Sequence, residues 1–284
     1  MQIKYYGYNG FVIRDGQHVI AIDPGASLYL LGLGPVIPRS EWREVTHVVV
    51  THGDPDHYWH ADRVAKASGA PLICGSELVQ VRDGHGYIYS SRAKDLRYAT
   101  PIDRVFAMDP GDSIDVDGVR FEAIAANHGK LRISMLGGLV QKTFHKEPGE
   151  RFALGCTGFV MHVGGLRIAN LGDTMLLREW GRIAPDVLMI PIGGRRSQNT
   201  MDEDQALEAV EMLAPRLVIP CHYDCGLLFD KKGNPADAQR FKAGVDKLGS
   251  QCVIMQPGDE IGPRLLATML DAEAPATEGR ADGP

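Results

Sequence analysis

His52-Gly53-Asp54-Pro55-Asp56-His57 is the stretch on which the reading of this chain turns. Four of its side chains, two imidazoles and two carboxylates, are ligands for divalent metals. It follows Val48-Val49-Val50, an apolar β-branched run that reads as a buried strand. The metal-binding groups therefore sit on a loop at a strand's C-terminal end, where α/β proteins commonly place chemistry.

Three more strand ends carry the same residue types. Residues 112–127 read as a hairpin turning at Asp117-Gly118 and delivering Asn127-His128-Gly129. A second hairpin, 158–163 and 166–171 about Gly164-Gly165, ends in Gly172-Asp173-Thr174. The apolar run 217–220 ends in Cys221-His222-Tyr223. Imidazole plus carboxylate suits zinc, iron or manganese. Two divalent ions bridged by Asp173 and a water would use His52, Asp54, Asp56, His57, His128, Asp173 and His222 together. Such binding lowers the pKa of water from about 15.7 toward ~7, which gives hydroxide at neutral pH.

Working outward, residues 2–7, 10–14, 18–23 and 46–50 read as strands, with a helix over 57–68 and a strand at 71–74. Residues 83–100 read as a surface loop and 129–156 as a long surface excursion. Strand 187–191, helix 202–213, strand 217–220, helix 236–248 and strand 252–256 complete the pattern. Ala206, Ala209, Val210 and Leu213 form one apolar helix face. β-Meanders precede βα units, and the order repeats after residue 112. Two similar halves would stack their sheets face to face with helices outside. The expected domain spans 1–265, with 266–284 a disordered tail rich in Ala, Pro, Glu and Gly near its end.

The 284 residues, 44% hydrophobic and 23% charged, suffice for a sizeable core. A net charge of −6 argues against a nucleic-acid surface. No apolar run reaches the ~18 residues of a membrane span, so no membrane partner is expected. Met1-Gln2-Ile3-Lys4-Tyr5 lacks the build of a signal peptide. Five scattered cysteines point to reduced thiols and a cytoplasmic location.

In their order and residue types these motifs resemble the metallo-β-lactamase superfamily over most of the chain. Thr51 to His57 looks like the H-x-H-x-D-H motif, Asn127-His128-Gly129 like the third-histidine motif, Leu171-Gly172-Asp173-Thr174 like the bridging aspartate, and Pro220-Cys221-His222-Tyr223 like the last histidine. Ala21-Ile22-Asp23-Pro24 is also typical. Pro185-Asp186-Val187, Pro191-Ile192-Gly193-Gly194 and Thr200-Met201 look like the branch containing ascorbate-6-phosphate lactonase-like and other metal-dependent hydrolases.

The resemblance implies a four-layer αββα sandwich with a dinuclear site at one edge. His52, Asp54 and His128 would hold one metal, Asp56, His57 and His222 the other, with Asp173 bridging. It implies an enzyme cleaving an ester-type bond (a lactone, carboxylic ester or phosphodiester) of a small-molecule substrate with metal-bound hydroxide. Asp56, Asp173 and Tyr223 would be catalytic, Tyr223 as a hydrogen-bond donor to an oxyanion unless its ring is simply packed. The branch often assembles, so a homo-oligomer is an open expectation.

Position 54 departs from the pattern, because the family usually has histidine there. Asp54 is a harder, anionic donor. Three carboxylates leave a pair of divalent ions less electrophilic than two would, which favours manganese or iron over zinc. The family's di-iron oxygen- and nitric-oxide-reducing members also carry a carboxylate here, with a flavin domain not visible in this chain. An iron-dependent oxygenase or reductase is thus the alternative, and a non-catalytic metal-binding protein a third reading. Tyr8, where the branch often has histidine, receives no role.

Second-tier residues each have two readings. His60 lies three residues after His57, on the same predicted helix face, as an extra ligand, a supporting group or a proton shuttle. Arg195-Arg196 is either a clamp for an anionic substrate or a solvated charge pair. Asp56 can cap a helix as well as ligate. His85 and His145 are expected to be exposed, His162 to be a strand residue, and Cys221 and Cys225 to be buried thiols.

Overall fold

The computed structural model describes residues 1–30, 32–88, 100–135, 140–144 and 153–271. Two seven-stranded sheets dominate. The N-terminal sheet runs Glu260–Ile261, Gln2–Tyr5, Phe11–Asp15, His18–Ile22, His47–Val50, Leu72–Gly75, Val105–Met108. The C-terminal sheet runs Ser113–Val116, Val119–Ala125, Thr157–Val163, Leu166–Asn170, Val187–Pro191, Leu217–Cys221, Gln251–Cys252. In each, the first four strands pair antiparallel and the remainder parallel. The repeat read from the sequence is thus a repeat of sheet topology.

Period-two alternation builds the layers. Val49 faces the core between the sheets with Ile22, Phe121, Phe159 and Met189. Its neighbours Val48 and Val50 face outward to Trp42, Ala61 and Val64. Likewise Leu188 and Ile190 face the helical layer of Ala206, Val210, Leu213 and Phe241, while Val187 and Met189 face inward. Strands buried on both faces read as continuous apolar runs, which is why they were visible in sequence. The result is a four-layer αββα sandwich with three apolar interfaces.

The Glu203–Leu213 helix starts at Asp202, whose side chain accepts from the amides of Asp204 and Gln205 in a capping box. It stops at Ala214, in left-handed backbone, before Pro215. The helix expected over 57–68 is instead two: Pro55–Tyr58, and Ala61–Ser68 ending at left-handed Gly69. The surface-loop reading is also corrected. Residues 79–82 and 85–88 form a hairpin, and a second hairpin pairs Leu131–Met135 with Val140–Phe144. Within the two predicted loops, residues 89–99, 136–139 and 145–152, with His145, lie outside the described residues. The expected boundary at 265 falls inside a helix, Pro263–Asp271, whose Leu266 and Leu270 pack into the central core. Residues 272–284 lie outside the described residues.

Candidate metal centre

All seven predicted ligands converge at one edge of the sandwich, beyond the strand ends that carry them. His52, Asp54 and His128 bring ligand atoms within 4.8 Å of one another, as do Asp56, His57 and His222, and His52, His57 and Asp173. Asp54 Oδ2 lies 3.5 Å from Nε2 of both His52 and His128. Asp56 Oδ2 lies 3.5 Å from His57 Nε2 and 3.2 Å from His222 Nε2. Asp173 sits between the groups, its Oδ2 3.7 Å from His128 Nε2 and 3.2 Å from His222 Nε2, its Oδ1 3.8 Å from His57 Nε2.

Local structure explains these placements. Pro55 opens the Pro55–Tyr58 turn with its fixed φ. Asp54 precedes it but caps nothing; its Oδ1 accepts from the Ala153 amide at 3.1 Å and its Oδ2 faces the imidazoles. Asp56 lies within the turn and is no cap either. Gly25 must be glycine, because a Cβ there would meet the Asp56 carbonyl oxygen at 1.8 Å.

A buried network stands behind the ligands. Asp23 Oδ2 is 2.7 Å from His57 Nδ1 and accepts from Thr51 Oγ1 at 2.6 Å and Asn9 Nδ2 at 2.7 Å. Asn9 and Asn170 pair reciprocally, which joins the two sheets. Asn199 donates to Asp173 Oδ2 at 2.7 Å, and Asn234 lies 3.1 Å from His222 Nδ1. His128 Nδ1 donates to the Gly129 carbonyl at 2.8 Å, which fixes the tautomer whose Nε2 carries the lone pair. Sequence reasoning assigned no role to Asp23, Asn9, Asn170, Asn199 or Asn234. Only Asp23, at a strand's end before Pro24, offered a signal.

The donor set fits divalent cations. Three carboxylates among four imidazoles are buried, and His52 Nε2 and Asp173 Oδ1 have no hydrogen-bond partner. Such orphaned atoms are costly, and cations would satisfy both. Without cations, protons take the role. Burial would push His57 down, but Asp56, Asp23 and Asp173 hold it well above its ordinary value. His222 is raised likewise against its burial, chiefly by Asp173 and Asp56. Burial would raise Asp56, yet His57 and His222 hold it well below the usual carboxylate range. His128 goes the other way, with burial dominant and its pKa lowered.

The second-tier residues do not join the cluster. His60 follows the break between the two helices, and its Nε2 lies 3.2 Å from the Leu33 carbonyl beside Trp42. It shares no helix face with His57, which corrects that expectation. Arg195 is tied to Glu203, Nε to Oε2 at 3.0 Å, rather than held for an anion. Arg196 is exposed on the same short turn. Tyr223 is a packed ring in the apolar layer under the helices, with a buried hydroxyl that bonds none of the seven ligands.

This fold and this constellation define a class. Residues 2–222 match the model of the beta-lactamase superfamily domain, and the chain belongs to the metallo-β-lactamase superfamily. Among its relatives is a protein of Symbiobacterium thermophilum named a metal-dependent hydrolase, 30% identical over 91% of this chain and 98% of that protein. A metallo hydrolase of the archaeon Ignicoccus hospitalis shares the fold at a TM-score of 0.64, with 22% identity over 92% of this chain and 97% of its own. So does a diiron β-hydroxylase of Streptomyces venezuelae, at a TM-score of 0.62 and 13% identity over 92% of this chain and 53% of its own. No helix among the described residues is long and apolar enough to cross a membrane.

Proposed function

We propose that this protein is a hydrolase of ester-type bonds (lactone, carboxylic ester or phosphodiester) in a small molecule, working with two divalent cations. The carrying observation is the division of the seven ligands into two sets about Asp173, with two buried ligand atoms, His52 Nε2 and Asp173 Oδ1, lacking hydrogen-bond partners. The metal-dependent hydrolase name of full-length relatives supports the reading. When bound, the cations would acidify a water and polarise the substrate's oxygen. The chain's own residues set that chemistry. Asp173 holds the two sets together, and Asn199 fixes its orientation. Asp56, its Oδ2 3.2 Å from His222 Nε2, is placed to accept a proton from the nucleophilic water. Asp54 adds a third anionic ligand and favours manganese or iron over zinc. Five free thiols accord with a reducing compartment such as the cytoplasm.

The test is a panel of lactones, esters and phosphodiesters against protein loaded with zinc, manganese or iron. Turnover that disappears in His128→Ala supports hydrolysis. A fully loaded protein that leaves the whole panel intact overturns it. The second reading, iron-dependent redox chemistry, is favoured by Asp54 at a ligand position. Oxygen consumption by the iron-loaded protein without hydrolysis would select it.

A further inference from the structure

Tyr8 has no place in the ligand set, yet the structure builds it into the wall behind His222. Both residues lie in left-handed backbone, Tyr8 at φ +50° and His222 at φ +51°. An aromatic side chain rarely adopts that conformation, and it persists only where surrounding contacts hold it. Here the two residues hold each other. The His222 amide donates to the Tyr8 carbonyl at 2.8 Å, and the Tyr5 hydroxyl donates to the same carbonyl at 3.0 Å.

The Tyr8 side chain completes the clip. Its ring stands edge-on to the His222 imidazole with centroids 6.3 Å apart. Its hydroxyl donates to the Gly226 carbonyl and accepts from the Leu28 amide at 3.0 Å. One phenol thus ties the segment after His222 to the segment that leads from Gly25 over the metal loop. Tyr8 packs in a small apolar cluster with Val36, Cys225 and Tyr6, and it also lines a cavity of about 460 Å³ with Tyr5, Tyr29, Tyr223 and Met255.

We propose that Tyr8 is a positioning residue for His222 and that its hydroxyl sets the affinity of the Asp56–His57–His222 cation site without touching either cation. The proposal rests on the two-cation reading of the centre. It gives Tyr8 a task at one of the two ligand sets. The contacts of Tyr8 lie on the His222 side of the centre.

The experiment is stepwise manganese titration of metal-free protein by calorimetry, with bound metal counted by elemental analysis. Tyr8→Phe keeps the ring and loses the clip. The expected result is that one binding step weakens about tenfold, the low end for groups that orient a metal ligand, while the other is unchanged. Tyr6→Phe is the control, since Tyr6 donates its hydroxyl outward to Glu41, and it should bind as wild type. In a His222→Ala background, Tyr8→Phe should add no further loss. Unchanged binding in Tyr8→Phe overturns the proposal, as does equal weakening of both steps or a full additional loss in the His222→Ala background. A wild-type protein that takes up one ion overturns the two-cation reading itself, and with it this proposal.

Discussion

The two ligand sets meet at Asp173 and where the His52 and His57 rings approach to 3.9 Å between centroids, yet they are supported differently. Asp56, His57 and His222 stand on a buried side-chain scaffold: Asp23 behind His57, Asn234 behind His222, and Thr51, Asn9 and Asn170 behind Asp23. His52, Asp54 and His128 lean mostly on backbone, through the Gly129 carbonyl and the Ala153 amide, with the Thr51 hydroxyl near His52 Nδ1. A carboxylate behind a ligating imidazole raises its basicity and fixes its orientation; a backbone carbonyl does less of the first. The difference teaches that the sites should be unequal, one tightly held and one exchangeable.

The strongest way to break the comparison is to remove what the sets share. Asp173→Ala should lose both cations and leave only background activity. His128→Ala should lose one cation and keep the better-buttressed one. Elemental analysis of purified variants reads both. Full metal content in Asp173→Ala would contradict its place between the sets.

Asp23→Asn sharpens it. The change keeps the shape and one acceptor oxygen. Asp23 accepts through both, from the Thr51 amide at Oδ1 and from Thr51 Oγ1 and Asn9 at Oδ2, so the change costs an acceptor as well as the charge facing His57 Nδ1. One cation site should weaken by about 10–100-fold and the other should hold. Equal loss at both sites would mean that the scaffold serves the whole centre. Asp54→His makes the complementary change in the other set. It should move preference toward zinc, by less than the Asp23→Asn effect, as read by competition between zinc and manganese.

The pH response follows from which groups are raised. In metal-free protein the carboxylates overcome burial to lift His57, and His222 with it. Their contribution to stability is complete below the unfolded imidazole value of about 6.5 and fades as pH rises through the lifted values. His128, lowered by burial, opposes this. Metal-free protein should therefore melt at a higher temperature near pH ~6 than near pH ~9. With cations the order should reverse, because protons and metal compete for the same imidazoles. Parallel melting curves in both forms would contradict this account.

Legibility in the sequence followed the length scale of each feature. Every ligand lies just past an apolar run, so His52, Asp54, Asp56, His57, His128, Asp173 and His222 could be named before their geometry was known. The doubly buried strands were legible for the same reason, since Val48 to Val50 and Val187 to Pro191 show their burial as unbroken apolarity. The supporting groups were not legible. Asn234 meets His222 from a loop 12 residues on, and Asn9 meets Asn170 across 161 residues, pairings no local pattern encodes. Periodicity also failed at His60. The break at Trp59–His60 interrupts a helical pattern that residue types alone carry through.

The smallest effect tests the residue whose sequence signal was most misleading. Arg195 beside Arg196 looks like an anion clamp, but its guanidinium closes a corner of the fold. Glu203 is 2% exposed, its Oε1 accepting from the Asp237 amide at 2.9 Å and its Oε2 from Arg195. Those bonds join the starts of the two helices that cover the C-terminal sheet. Arg195 is half exposed, so the pair is well screened and its loss should cost about 0.2–1 kcal/mol. Arg195→Ala should thus lower the melting temperature slightly and leave metal content and turnover at wild-type values. A large rise in KM with unchanged stability would return Arg195 to the substrate and show that Glu203 releases it on binding.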